Sequence, residues 1–241
     1  MSTLKYLLQK VARSILKKNM QPGRPFIVAV EGNIGSGKST FLEYFNNFEG
    51  VEVLSEPVES WRNLNGNNLL GLMYEDPKKW SFTFQSYVQL TMLQNHLKPT
   101  KASIKLMERS IFSARYCFVE KMKRDRILPH SSAAVLDAWF QWITNSMNIN
   151  IDLIVYLRTS PEIVYQRIME RNRPEEKLVS LEYIQSLHEI HEDWLNNKCL
   201  HHCPAPVLII NADLDKAIIQ REYQHWKSAI LNEKPSTIQI L

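Results

Sequence analysis

Val28-Ala-Val-Glu-Gly-Asn-Ile-Gly-Ser-Gly-Lys-Ser-Thr40 is the stretch whose reading decides the fold. It contains Gly32-x-x-x-x-Gly37-Lys38-Ser39, the phosphate-cradling P-loop pattern. Glycines reach backbone torsions closed to other residues, so successive N–H groups can turn inward onto phosphate oxygens. The helix that follows adds its positive N-terminal end. Lys38 supplies a charge for the β- and γ-phosphates and Ser39 a hydroxyl for Mg²⁺. The context is the one the motif needs. Pro25–Val30 reads as a buried strand, and Phe41, Leu42, Phe45 and Phe48 then recur at helical spacing. Gly32, Asn33, Ile34, Gly35, Ser36, Gly37, Lys38, Ser39 and Thr40 are therefore the candidate nucleotide-binding loop.

Working outward, four more apolar runs read as strands: 51–55, 104–107, 152–157 and 206–210. Helical patterns alternate with them, which predicts a parallel sheet covered on both faces. Residues 61–71, with four Asn and two Gly, read as loop. Asp76-Pro77 is an N-cap and N1 pair opening a long helix to about His96. Further helices are expected at about 111–124, 133–146, 180–196 and 215–231. One more, capped by Ser160-Pro161, should run into the 167–176 segment. The expected fold class is α/β, with five parallel strands flanked by helices in one domain.

The 241 residues carry a net charge of +4, but six of the 29 bases lie in residues 1–24, which hold no acid. The remaining 23 bases face 25 acids, so the body is no obvious nucleic-acid binder. No apolar run is long enough to span a membrane. Leu4, Leu7, Leu8, Val11 and Ile15 share one helical face opposite the bases. That basic segment 1–24 reads either as a mitochondrial transit peptide or as a surface helix of a cytosolic protein. Three cysteines make no disulfide framework and point to a reducing, intracellular compartment. Cys199-Leu-His-His-Cys203 fits no common zinc spacing, and His188-Glu-Ile-His191 is not the metalloprotease helix motif.

Strands of an open parallel sheet point their carboxyl ends at the ligand crevice. Glu56, Glu108-Arg109 and, past Leu157, Arg158 end three of them, which predicts that Glu56 and Glu108 lie near the phosphates. A carboxylate there can hold Mg²⁺ or take the proton of an attacking hydroxyl. Arg167, Arg171 and Arg173 cluster where Pro174 interrupts the helical pattern, as in a flap that closes on phosphate charge. Phe84, Gln85, Val88 and Met92 share a face of the long helix. The Gln85 amide carries an acceptor and two donors, enough to read a base edge.

Six ordered motifs carry a resemblance: Glu31–Ser39, Glu56-Pro-Val-Glu-Ser-Trp61-Arg62, Leu72-Met73-Tyr74, Phe84-Gln85-Ser-Tyr-Val88, Glu108–Phe118 and Tyr156–Pro161. Together they resemble the deoxynucleoside kinases, in particular their insect multisubstrate and mitochondrial thymidine kinase branches. The likeness runs from about residue 25 to about 215 and leaves out the N-terminal segment and the tail. It implies a P-loop kinase fold, ATP and Mg²⁺, a deoxynucleoside substrate with pyrimidines favoured, a homodimer, and feedback inhibition by thymidine triphosphate. It implies that Glu56 is the general base on the nucleoside 5′-hydroxyl, with Arg109 beside it, and that Glu108 serves the Mg²⁺ site. Gln85 would pair with the base, which would stack on Phe118 near Trp61. Val88, Met92 and Ala114 would shape that pocket, with Met73 and Phe84 among its contacts. Tyr74 and Glu176 would hold the 3′-hydroxyl, Arg171 and Arg173 would be lid arginines near 167–177, and Arg167 would lie by the adenine. Two competing readings are a nucleoside monophosphate kinase and a P-loop subunit that binds nucleotide without catalysis.

Overall fold

The five apolar runs form one sheet in a computed structural model that describes residues 24–233. The strands are β1 (Phe26–Glu31), β2 (Val51–Leu54), β3 (Ile104–Glu108), β4 (Leu153–Arg158) and β5 (Val207–Asn211). They lie in the order β2-β3-β1-β4-β5, all parallel. The amphipathic pattern at 3–18 and the Pro22-Gly23 break fall outside the described residues.

Side chains alternate across a strand, so each run feeds two cores. Val28, Val30, Val155 and Leu157 join Phe41 and Phe45 of α1 (Lys38–Phe45) and Tyr223 of the last helix on one face. Ala29, Ile154 and Tyr156 join Met92, Phe140 and Trp194 on the other. Burial on both faces is why the central strands β1 and β4 read as continuous apolar runs rather than as alternation. β1 lies between β3 and β4, so the loops after β1 and β3 diverge and leave a crevice at the carboxyl ends.

Two connections position the site. His96, near the end of the long helix α4 (Pro77–Leu97), accepts a hydrogen bond at Nε2 from the Ile111 backbone, 3.2 Å away, directly after Arg109-Ser110. Lys105 of β3 is buried and donates to the His96 and Lys98 carbonyls at 2.8 Å each, capping the same helix end. Asp76 caps the other end, accepting from the Lys79 N–H.

Several local expectations need correction. Residues 61–71 are not one loop: α2 (Val58–Arg62) ends inside them and α3 (Leu69–Glu75) begins there. Asn68 caps α3 by accepting from the Gly71 N–H at 2.9 Å, so an Asn taken for loop is a helix start. The helix at 111–124 is three pieces: α5 (Ile111–Ser113), a π-helical stretch (Ala114–Val119) and α6 (Glu120–Arg124). After α7 (His130–Ser146), α8 (Pro161–Arg171) stops before Pro174, at Asn172 in the left-handed region with φ 49°. A 3-10 turn (Pro174–Leu178) follows. Ser160 makes no side-chain cap; its hydroxyl donates to Asp213 instead. Residues 180–196 are α9 (Leu181–His191) followed by a second π-helical stretch (Glu192–Asn196), and α10 (Lys216–Ile230) closes the described chain.

Candidate active site

A continuous cavity of about 800 Å³ opens at the carboxyl ends of β1, β2 and β3. Its floor is the P-loop from Ile34 to Thr40. Gly37 sits at the head of α1 with φ 91°, and Gly32 turns at φ 145°. A Cβ on Gly32 would stand 2.7 Å from the Leu157 carbonyl oxygen, so β4 leaves no room for a side chain there. Gly32 and Asn33 do not line the cavity. Asn33 is buried beneath the loop, donating to the Ile184 carbonyl at 3.0 Å and accepting from the Ile34 N–H at 2.9 Å.

Lys38 is almost fully buried, and its ammonium donates to the Asn33 carbonyl at 2.8 Å. Burial, with the Arg109 charge adding, holds it down to about 8. Ser39 donates to Glu108 Oε1 at 3.1 Å. A hydroxyl and a carboxylate side by side form a hard oxygen donor set that suits Mg²⁺.

Glu56 follows β2 and meets Arg109 at 3.0 Å. Arg109 is 4% exposed and takes φ 61°, a strained turn directly after β3. Burial pushes the Glu56 carboxyl up, Arg109 opposes that, and Glu108 adds to it. Behind Arg109 lies Glu31, wholly buried, with Ser110 donating to it at 2.5 Å. Desolvation pushes Glu31 up to about 7.

The far end of the cavity is apolar with one exception. Trp61 packs edge-on to Phe84 at 5.7 Å and donates to the Thr91 hydroxyl at 2.9 Å. Met73, Val88, Met92 and Ala114 complete that wall. Phe118 faces it with the Arg109 guanidinium 4.8 Å above its ring. The π-helical stretch brings Ala114 and Phe118, four residues apart, to the same cavity. Gln85 is 2% exposed, and its carbonyl oxygen has no partner. A buried amide oxygen left unpaired at a cavity wall is a vacant acceptor for a ligand N–H.

The mouth carries the charges. Arg171 donates to both Glu176 oxygens, at 2.6 and 2.7 Å, and Arg173 stands 3.6 Å from the same carboxylate. Tyr74 is close to Glu176, and burial pushes its phenol far up. Arg167 also lines the cavity and donates to the Ala212 carbonyl at 3.0 Å. Arg158, at the end of β4, turns away to Glu192 at 3.0 Å.

Sequence reasoning missed part of the lining. Met122 and Tyr183 enter from α6 and α9, and Leu214, Asp215, Ile219 and Tyr223 from around α10. None of these belongs to a motif, and only long-range packing brings them in. Arg62 and Glu175 also reach the mouth; Arg62 stands inside a quoted motif, but nothing there gave it a role.

A P-loop at a topological switch point, a buried lysine, a paired Ser39 and Glu108, and a strand-end carboxylate held by arginine define a P-loop phosphotransferase. A family model described as deoxynucleoside kinase matches residues 28–233. Human mitochondrial thymidine kinase 2 is 52% identical over 196 residues, 81% of this chain and 74% of that protein. A probable deoxycytidine kinase of fowlpox virus is 39% identical over 78% of this chain and 79% of its own length. Human deoxycytidine kinase is 35% identical over 72% of this chain and 76% of that protein. The chain belongs to the deoxynucleoside kinase family. Phosphorylation of a deoxynucleoside with ATP as donor follows from that membership, and the two competing readings are not favoured.

Proposed function

We propose that this enzyme transfers the γ-phosphoryl group of ATP to the 5′-hydroxyl of deoxynucleosides, pyrimidines foremost, in nucleotide salvage. The observation that carries this reading is one cavity with Lys38, Glu56 and Arg109 at one end and the unpartnered Gln85 carbonyl at the other. Glu56 takes the 5′-hydroxyl proton as that oxygen attacks, and Arg109 keeps the carboxylate ionised and aimed. Lys38 leaves its loop carbonyls for the donor phosphates, and the backbone N–H groups of the loop hold them in place. Mg²⁺ would be held by Ser39 and Glu108 and supplies charge compensation on the phosphates when bound. Arg171 and Arg173 reach the transferred group from the lid, and Arg167 stands at the donor-base end.

Gln85 reads the base, which lies on Phe118 between Trp61, Met73, Phe84, Val88, Met92 and Ala114. Tyr74 and Glu176 take the 3′-hydroxyl, and Tyr74 crowds a ribose 2′-hydroxyl. The acceptor end offers Glu56 and aromatic rings rather than a cation cluster, which suits a nucleoside better than a nucleoside monophosphate. An ADP-release panel over four deoxynucleosides, four ribonucleosides and thymidine monophosphate tests the reading. Turnover is expected with thymidine and deoxycytidine, and preference for the monophosphate would overturn it.

A homodimer is part of the same proposal. On α7, Val135, Trp139 and Trp142 are exposed along one stripe, the two Trp rings 6.2 Å apart. On α4, which packs against α7, Phe82, Leu90 and Leu97 are exposed too. A second copy covering these helices would bury both stripes. Trp139→Glu should yield a monomer on light scattering. For localisation we propose the mitochondrion or the cytosol, to be decided by fusing residues 1–24 to a reporter; among the described residues no helix is long and apolar enough to cross a membrane.

A further inference from the structure

Glu175 and Glu176 are consecutive on the 3-10 turn, and they grip arginines from two different helices at the cavity mouth. Glu176 takes Arg171, at the end of α8 on the lid side. Glu175 takes Arg62, at the end of α2 on the acceptor side, 113 residues away in sequence. The Arg62–Glu175 pair is two-pronged: Nε donates to Oε1 at 2.8 Å and Nη2 to Oε2 at 3.2 Å. A planar fork on a carboxylate fixes orientation as well as distance.

The environment separates this pair from an ordinary surface contact. The Arg62 and Glu175 side chains are 28% and 12% exposed, whereas Glu59, which Arg62 also touches at 2.7 Å, is 86% exposed. α2 is only five residues long; it starts two residues after Glu56, past Pro57, and carries Trp61 of the acceptor wall. The turn carries Glu176 and continues from Arg173. The Arg62–Glu175 pair thus joins the wall bearing the base-pocket Trp61 to the turn bearing the sugar-facing carboxylate. Without Arg62, two adjacent carboxylates would share the half-buried turn with only the lid arginines to offset them.

We propose that Arg62 is a positioning residue for the acceptor: through Glu175 it holds the lid turn against α2 and so aims Glu176 into the cavity beside Tyr74. The proposal rests on the deoxynucleoside kinase reading of the cavity. Neither residue touches the P-loop and Glu176 faces the sugar, so the larger effect falls on the nucleoside; a smaller one reaches the transferred group through Arg171, which Glu176 holds.

The test is steady-state kinetics of Arg62→Gln, Glu175→Gln, the double variant and the charge swap Arg62→Glu/Glu175→Arg, with Glu59→Gln as control. Each single change should raise KM for thymidine about tenfold, with KM for ATP within about twofold. The double variant should be no worse than either single, and the swap should return KM to within about threefold of wild type, as expected of residues acting through one contact. Glu59→Gln should behave as wild type. An unmoved KM for thymidine, additive losses, or a swap that rescues nothing would overturn the proposal. Hydrogen exchange of the Glu175→Gln protein supplies a readout independent of turnover. Faster exchange confined to residues 172–179 is expected, and unchanged exchange there overturns the latch. If the wild-type enzyme phosphorylates no nucleoside, the functional reading fails while the exchange result still decides the latch.

Discussion

The Glu56 carboxylate and the Arg109 guanidinium stand 3.0 Å apart in a site from which Arg109 is almost wholly excluded from solvent. Burial raises the Glu56 carboxyl and Arg109 pulls it back. A general base works only when ionised, so kcat/KM should fall as pH drops through a value above the ordinary carboxylate range. Arg109→Met removes the opposing charge, and the acid limb should then move to higher pH. Glu56→Gln should keep nucleotide binding and lose about 10²–10⁴-fold in kcat. A Glu56→Gln enzyme within about threefold of wild type would remove Glu56 from the mechanism.

Truncation separates the N-terminal segment from the domain. Arg24 makes a two-pronged pair with Asp152 at 2.6 and 2.7 Å, and Asp152 also accepts from the Ile27 N–H at 2.8 Å, fixing the start of β1 beside β4. Deleting residues 1–20 should leave kcat and KM nearly unchanged, since every proposed site residue lies beyond residue 30. Deleting 1–24 strands a nearly buried carboxylate and should cost about 2 kcal/mol, seen as a lower Tm. Equal Tm values for the two truncations would show that the pair contributes nothing.

Acid stability should depend on two histidines. His96 and His191 are buried, and desolvation holds each down to about 3. Each gains a proton near 6.5 when the chain unfolds. Between pH 6.5 and 3 the unfolded state therefore binds more protons, and stability falls as pH falls. Glu31 acts in the opposite sense: its carboxyl rises to about 7, so the folded state holds an extra proton from about 4.5 upward, and its contribution weakens as pH rises to 7. His191→Gln should flatten the acid side of a Tm–pH curve. An unchanged slope would mean that His191 is charged in the folded protein.

Gln85 should accept both pyrimidines. Thymine offers an N3–H donor and a 4-carbonyl, cytosine an N3 acceptor and a 4-amine, and one amide meets either by turning through 180°. Val88, Met92 and Ala114 place no charge in the pocket to choose between them. Thymidine and deoxycytidine should have kcat/KM values within about a factor of ten, roughly 1.4 kcal/mol. A preference above about a thousandfold would mean that another group reads the 4-position.

What the sequence discloses follows physical range. The central strands β1, β3 and β4 were legible because burial on both faces makes them strongly apolar, the edge strands β2 and β5 through their Val, Leu and Ile content, and the P-loop because its chemistry is contiguous. Glu56, Glu108 and Arg109 were legible as strand-end residues of a parallel sheet. Helix α3 was hidden because its cap, Asn68, sits among residues that equally suit a loop. The π-helical stretch at Ala114–Val119 leaves no periodic signal over six residues. Tyr183, Met122 and the Arg62–Glu175 pair depend on contacts between distant segments, which no local pattern records.

The last prediction concerns feedback. An acceptor oxygen and the γ-phosphorus must come within about 3.5 Å to react, so acceptor pocket and P-loop belong to one cavity, as its lining shows. A deoxynucleoside triphosphate can set its base on Gln85 and Phe118 and run its phosphates back toward Lys38. It then gains the contacts of both ends in one molecule, with a single loss of association entropy. Thymidine triphosphate has the base that suits Gln85 and should inhibit from within the active site. Inhibition should be competitive with thymidine, and Gln85→Ala should weaken substrate and inhibitor together. The triphosphate should also protect Lys38 from acylation, because its phosphates occupy the loop. Inhibition that survives saturating thymidine would place the effector at a separate site and end the single-cavity account.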